Sequence, residues 1–87
     1  MKTLASNTDL YNYLRSLANL LTERGSAELA ESIRFAASQG TGLTTEFLGE
    51  SRIALQRVLD SDVGALQLQE RDELRGVIGQ VEAALRR

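Results

Sequence analysis

Carboxylates are the side chains with the greatest capacity for chemistry in this sequence, because the usual nucleophiles and bases are missing. Three pairs of glutamates lie three or four residues apart, at Glu28/Glu31, Glu46/Glu50 and Glu70/Glu73. Paired acids at this spacing can bind a divalent cation or share a proton. Helical di-metal sites also use histidines, however, and the 87 residues include none. We therefore expect no metal and no cofactor, and interpret the pairs as solvated helix faces or first-turn acids.

The missing residue types exclude most enzyme mechanisms. There is no cysteine and no histidine, so the chain has no thiolate nucleophile, no catalytic triad and no common zinc site. Lys2 is the only lysine and lies near a terminus, which leaves Schiff-base chemistry without a credible residue. We expect a protein that is not an enzyme. The enzymatic alternative would gather carboxylates with Tyr11 or Tyr13 in a cleft that shifts their pKa values.

Two glycine-containing segments have the outline of ligand loops but lack the residues that bind. Segment 40–45 precedes a helix, which is a generic anion site, but no lysine follows and Glu46 adds negative charge there. Segment 60–64 begins like a calcium loop, but Ala65 and Arg71 stand where an EF-hand has glycine and glutamate. We interpret the first segment as a capping loop and the second as a helix stop.

Charge and hydropathy restrict the partners. The net charge is −2 and the pI is about 5.0, which argues against nucleic acid. The first two helices could form a helix-turn-helix, but Glu28 and Glu31 would then repel phosphates. No apolar run is long enough to span a membrane, and no apolar segment follows Lys2 as in a secretory signal. We expect a cytoplasmic protein. Its nine arginines against one lysine are typical of a GC-rich bacterial genome.

Apolar residues recur at helical spacing along four segments, so the sequence predicts an all-α, compact four-helix domain. The predicted helices span about 8–24, 27–39, 45–60 and 69–86 of a single domain, 1–87. The chain contains no proline to interrupt them. Short connections make the first three helices sequential, mostly antiparallel neighbours. The spacing does not distinguish a bundle from an orthogonal array.

Two connections carry more specific expectations. Gly25 follows the first helix closely and is expected to adopt the left-handed conformation that ends it. In the longer connection before the fourth helix, Leu66 and Leu68 are expected to anchor the chain on the core.

Several residues do not fit the single apolar stripe of their helices. Phe35 lies about 120° from the centre of the stripe on the second helix. Ile53 is displaced in the same way on the third, with Gly49 one turn before it. Gly76, Gly79 and Ala83 share one face of the fourth helix. A glycine within a helix costs about 1 kcal/mol relative to alanine, and is easier to understand where another backbone approaches closely.

These displaced residues predict a second packing surface. We expect a small, non-catalytic protein–protein interaction module that forms a homodimer through a surface centred on Phe35 and Ile53. The face around Gly79 is a second candidate interface. Two alternatives stay open: contacts within the chain, and isolated apolar residues exposed to solvent.

Two further hypotheses concern partners. Tyr11 and Arg15 are four residues apart and belong to types enriched at interfaces, although the arginine could simply cover its own neighbour. The small size, the acidity and the lack of catalytic groups also fit an immunity- or antitoxin-type inhibitor that binds a foreign protein.

Overall fold

The computed structural model describes residues 7–38, 44–61 and 66–86, and these contain four α-helices and no strand. The helices are α1 (Asn7–Glu23), α2 (Ala27–Ser38), α3 (Thr44–Asp60) and α4 (Leu68–Leu85). The prediction of an all-α, four-helix fold is confirmed. Each helix end lies within one residue of its predicted position. The predicted glycine loop at 40–43 and most of the predicted stop after α3 lie outside the described residues.

The connection between α1 and α2 follows the prediction for Gly25. Its φ of 83° is left-handed, which glycine adopts without the steric cost of a Cβ atom. The Ser26 backbone N–H donates to the Leu21 carbonyl at 2.8 Å, and the Gly25 N–H donates to the Thr22 carbonyl at 3.2 Å. These two bonds satisfy carbonyls at the helix end and turn the chain directly into α2.

The core is one cluster to which all four helices contribute their apolar stripes. Its largest fully buried apolar members are Phe47, Leu10, Leu14, Leu21, Ile33, Leu55 and Leu74. Ser51 is the only buried polar residue found in the described part of the chain. It is 0% exposed, and its hydroxyl has no hydrogen-bond partner.

Helices that follow one another in sequence pack against each other. Between α2 and α3, Arg57 donates to the Ser32 hydroxyl at 3.2 Å. Between α3 and α4, Arg71 donates to the Leu59 carbonyl at 2.9 Å. An ion pair of 3.8 Å joins Arg52, earlier on α3, to the later part of α4. These contacts fix the register in which the helices lie side by side.

The start of α4 differs from the expectation for one leucine. Leu66 is partly buried against the core, as expected, but Leu68 is 74% exposed. The reason is that α4 already begins at Leu68, so helical spacing sets its direction. It lies about 130° from the centre of the buried stripe that contains Leu74 and Val81.

Candidate functional site

Phe35 and Ile53 are both exposed, and they line one groove. Their exposed fractions are 59% and 49%, whereas their helical neighbours Ala36 and Ala54 are buried. The groove runs between α2 and α3 and encloses about 430 Å³. We call it the α2–α3 groove, and its main lining residues are Glu28, Glu31, Phe35, Glu50, Ile53 and Arg57. The structure therefore brings together the two displaced residues that the sequence singled out.

The register between α2 and α3 places the two apolar side chains level with each other. Arg57 contacts Ser32 directly, at 3.2 Å. Moving one turn along each helix, towards the end of α2 and the start of α3, leads from Ser32 to Phe35 and from Arg57 to Ile53. Along α3, Ile53 consequently lies between Glu50 and Arg57, whereas Phe35 is the last residue of α2 that lines the groove.

The charges on the groove are unequal in number. Three carboxylates, from Glu28, Glu31 and Glu50, line it together with one guanidinium, from Arg57. Arg57 bonds to Ser32, and none of the four charged groups has an ion-pair partner within the described residues. All four are therefore available to a molecule that covers the apolar centre.

The apolar surface continues past the groove on its α3 side. A second depression of about 550 Å³ shares Ile53 and Arg57 with the groove, and adds Leu29, Arg52 and Gln56. Ile53 stands at the boundary between the two depressions, so a partner that covers it can occupy both.

Gly49 and Gly79 are not required by contacts within the chain. A Cβ atom added at either position would meet no atom of the described residues within 4 Å. Close contact with the rest of the described chain is therefore not the reason for these two glycines. On the same face of α4 as Gly79, Ala83 is exposed and Gly76 is half-buried.

Tyr11 and Arg15 form a contact within α1. The guanidinium carbon of Arg15 lies 5.8 Å from the centre of the Tyr11 ring, which itself packs partly against the core. Arg34 shares a depression with this pair but donates at 3.1 Å to Thr22 instead. Tyr11 and Thr22 are about 16 Å apart along α1. The two arginines therefore reach opposite ends of α1 and do not converge on one ligand.

Tyr13 and Glu70 do not form an acid–base pair suited to neutral pH. Tyr13, Glu70 and Glu73 line a depression of about 250 Å³ between α1 and α4. Burial, followed by the negative charges of Glu73 and Glu70, raises the pKa of Tyr13. Hydrogen bonds from Arg24 and from the Gln67 backbone lower the pKa of Glu70. Both pKa values move away from neutrality, whereas an efficient general acid or base needs the opposite shift.

No group of three or more acidic, histidine or cysteine side chains among the described residues is placed to hold a metal ion. No helix in the described ranges has the length and apolar character needed to cross a membrane.

Sequence reasoning missed the buried hydroxyl of Ser51. A signal for it was present, because Phe47, Ser51 and Leu55 are spaced four residues apart and so share one helix face. Only its polar type argued against burial.

No protein family, no curated protein and no solved structure matches this chain.

Proposed function

We propose that this domain is a non-catalytic protein–protein interaction module that self-associates through the α2–α3 groove. The observation that carries the proposal is that Phe35 and Ile53, from different helices, are exposed side by side in one groove. Single exposed apolar residues are ordinary, but an adjoining pair in a concave surface is a common feature of interaction sites.

The apolar centre sets the expected strength of association. Complete burial of a Phe or Ile side chain contributes about 1.5–3 kcal/mol, and these two are already about half covered. A symmetric dimer buries each of them twice, which gives roughly 3–6 kcal/mol in total. Association itself costs at least about 4 kcal/mol, so the charged residues around the apolar centre must also contribute. We call these residues the charged rim; they are Glu28, Glu31, Glu50 and Arg57. We therefore expect a moderate affinity that depends visibly on protein concentration.

The charged rim favours a second copy of the chain as the molecule that binds in the groove. A two-fold interface must be complementary to itself. The groove meets this condition on α3, where an acid, Glu50, and a base, Arg57, lie on either side of Ile53. In a second copy whose α3 runs in the opposite direction, Arg57 can therefore lie opposite Glu50 of the first copy, and Glu50 opposite Arg57.

The surplus of acid on α2 favours a second candidate function. Glu28 and Glu31 have no basic counterpart within the groove other than Arg57. A foreign protein that inserts an apolar side chain between arginines or lysines would match this charge. Such binding would suit an inhibitor of the immunity or antitoxin type.

Light scattering coupled to size exclusion, over a series of protein concentrations, tests the proposal. We expect the mass to approach twice 9.5 kDa as the concentration rises. The variant Phe35→Glu/Ile53→Glu should remain a monomer with an unchanged helical circular dichroism spectrum. Leu68→Glu is the matched control, because Leu68 is at least as exposed but lies outside the groove, and this variant should still dimerise.

Three results would overturn the proposal. The first is a wild-type mass of 9.5 kDa at every concentration, which would leave the foreign-partner candidate. The second is a double variant that dimerises as well as the wild type. The third is a double variant that loses its helical signal, which would place Phe35 and Ile53 in the core.

A further inference from the structure

We infer that the two copies meet with their α3 helices antiparallel, so that Glu50 of each pairs with Arg57 of the other. In this arrangement Phe35 and Ile53 lie at the two-fold axis and meet their own counterparts. The inference rests on the self-association proposed above and adds the geometry of the interface.

The order of residues along α3 supports the antiparallel direction. Glu50, Ile53 and Arg57 lie within about 60° of one another around the helix and line the same groove. Along the chain they read acid, apolar, base. Reversing the direction gives base, apolar, acid, so an antiparallel copy places opposite charges together. A parallel copy would place Glu50 against Glu50, which is repulsive.

The position of Phe35 fits the same axis. The two-fold axis lies in the plane of the interface and crosses α3 at Ile53. The same rotation places α2 of one copy opposite α2 of the other. Phe35 lies across the groove from Ile53, since both residues line it and Arg57 bonds to Ser32 one turn away. Phe35 therefore lies close to the axis and faces Phe35 of the second copy. Four apolar side chains then form the centre of the interface, and the ion pairs lie at its edge.

Gly49 and the ends of α3 determine how the helices cross. Gly49 neighbours Ile53 on the outward face and leaves open space, which permits a close approach of backbones. In a strictly antiparallel alignment, Glu46 would face Asp60 of the second copy and repel it. In helices that cross at about −50°, a common packing angle, these two positions are displaced sideways from each other by about 9 Å. We therefore infer an inclined crossing with contact confined to the central turns.

Charge reversal tests this geometry directly. In the single variants Glu50→Arg and Arg57→Glu, both ion pairs of the dimer become repulsive. Each variant should raise the dimer dissociation constant by roughly tenfold to a hundredfold. The double variant Glu50→Arg/Arg57→Glu should return to within a few-fold of the wild type. Glu23→Arg is the control for Glu50→Arg, because it changes the net charge by the same amount and in the same direction on α1, outside the groove.

A mixture of the two single variants gives the most specific result. One chain then carries two arginines and the other carries two glutamates, so both pairs across the interface are attractive again. We expect a heterodimer that forms more strongly than either homodimer, detected by native mass spectrometry with one chain isotopically labelled.

The failure of this inference is distinguishable from the failure of the proposed function. A wild-type protein that is monomeric at all concentrations overturns both. A wild-type dimer whose dissociation constant changes no more with Glu50→Arg or Arg57→Glu than with Glu23→Arg overturns the antiparallel geometry alone. A double variant that fails to recover, although it is folded by circular dichroism, also overturns the direct pairing.

Discussion

At the scale of single residues, the buried hydroxyl of Ser51 gives a direct prediction for stability. Ser51 is completely buried on α3, and its hydroxyl is unpaired. Burying a hydroxyl without a hydrogen bond costs about 1–3 kcal/mol. We predict that Ser51→Ala raises the free energy of unfolding by about 1 kcal/mol, measured by chemical denaturation. The exposed Ser16→Ala is the control and should change it by less than about 0.5 kcal/mol. A less stable Ser51→Ala protein would contradict the unpaired state of the hydroxyl.

Residue types and spacing predicted the residue-scale features unevenly. Gly25 was predictable, because glycine directly after an apolar stripe is a common way to end a helix. The exposure of Leu68 was not predicted, since it depends on whether the helix has already begun at that residue. The spacing of apolar residues predicts whether a residue at a helix start is buried only when the first residue of the helix is known.

At the scale of helices, Gly49 and Gly79 give a matched comparison. Neither has a neighbour among residues 7–38, 44–61 and 66–86 within 4 Å of the place where a Cβ atom would lie. We predict that Gly49→Ala and Gly79→Ala each raise the free energy of unfolding of the monomer by about 0.5–1 kcal/mol. Denaturation at concentrations below the dimer dissociation constant measures this gain.

The two glycines should differ in their effect on association. Gly49 neighbours Ile53 on the face that we assign to the interface, so an added methyl group there should weaken the dimer. Gly79 lies on α4, outside the groove, and its variant should dimerise like the wild type. If Gly79→Ala weakens the dimer and Gly49→Ala does not, the glycine face of α4 is the interface instead.

Glu70 connects the start of α4 to the end of α1. It accepts a 2.7 Å bond from the Gln67 backbone N–H and two bonds from Arg24, one of them 3.0 Å long. These bonds hold the pKa of Glu70 below its usual 4.5. Because the folded pKa is lowered, the ionised carboxylate stabilises the fold above about pH 4.5, and this stabilisation is lost as the pH falls through the folded pKa.

The pH dependence of Glu70→Gln tests this connection. We predict that the variant is less stable than the wild type at about pH 7, and that the difference shrinks as the pH falls below about 4.5 and through the lowered pKa of folded Glu70. Denaturation of both proteins across this range measures the difference. Glu31→Gln removes the same charge from an exposed position on α2 that has no ion pair among the described residues, and is the control. A difference that persists unchanged in acid would show that Glu70 acts through packing rather than through its charge.

At the scale of the whole molecule, the helices were predictable and their relative positions were only partly so. Apolar periodicity and the absence of proline determine four helices, and short connections make successive helices neighbours. The rotation of about 100° per residue also predicts that Phe35 and Ile53 lie away from the buried apolar stripes of α2 and α3. That the two meet in one groove depends on how α2 and α3 pack, which the spacing within either helix does not contain.

The interface should also be visible in the stability of the whole molecule. If folded chains pair through the α2–α3 groove, mass action stabilises the native state as the protein concentration rises. Above the dissociation constant, each tenfold increase adds about 0.7 kcal/mol per chain, which raises Tm by about 3–5 °C for a domain of this size. Phe35→Glu/Ile53→Glu should show no such rise, and Leu68→Glu should show the wild-type rise. Differential scanning calorimetry over two decades of concentration measures all three proteins. A wild-type Tm that is independent of concentration, with full reversibility, would mean that the groove is not covered by a second copy.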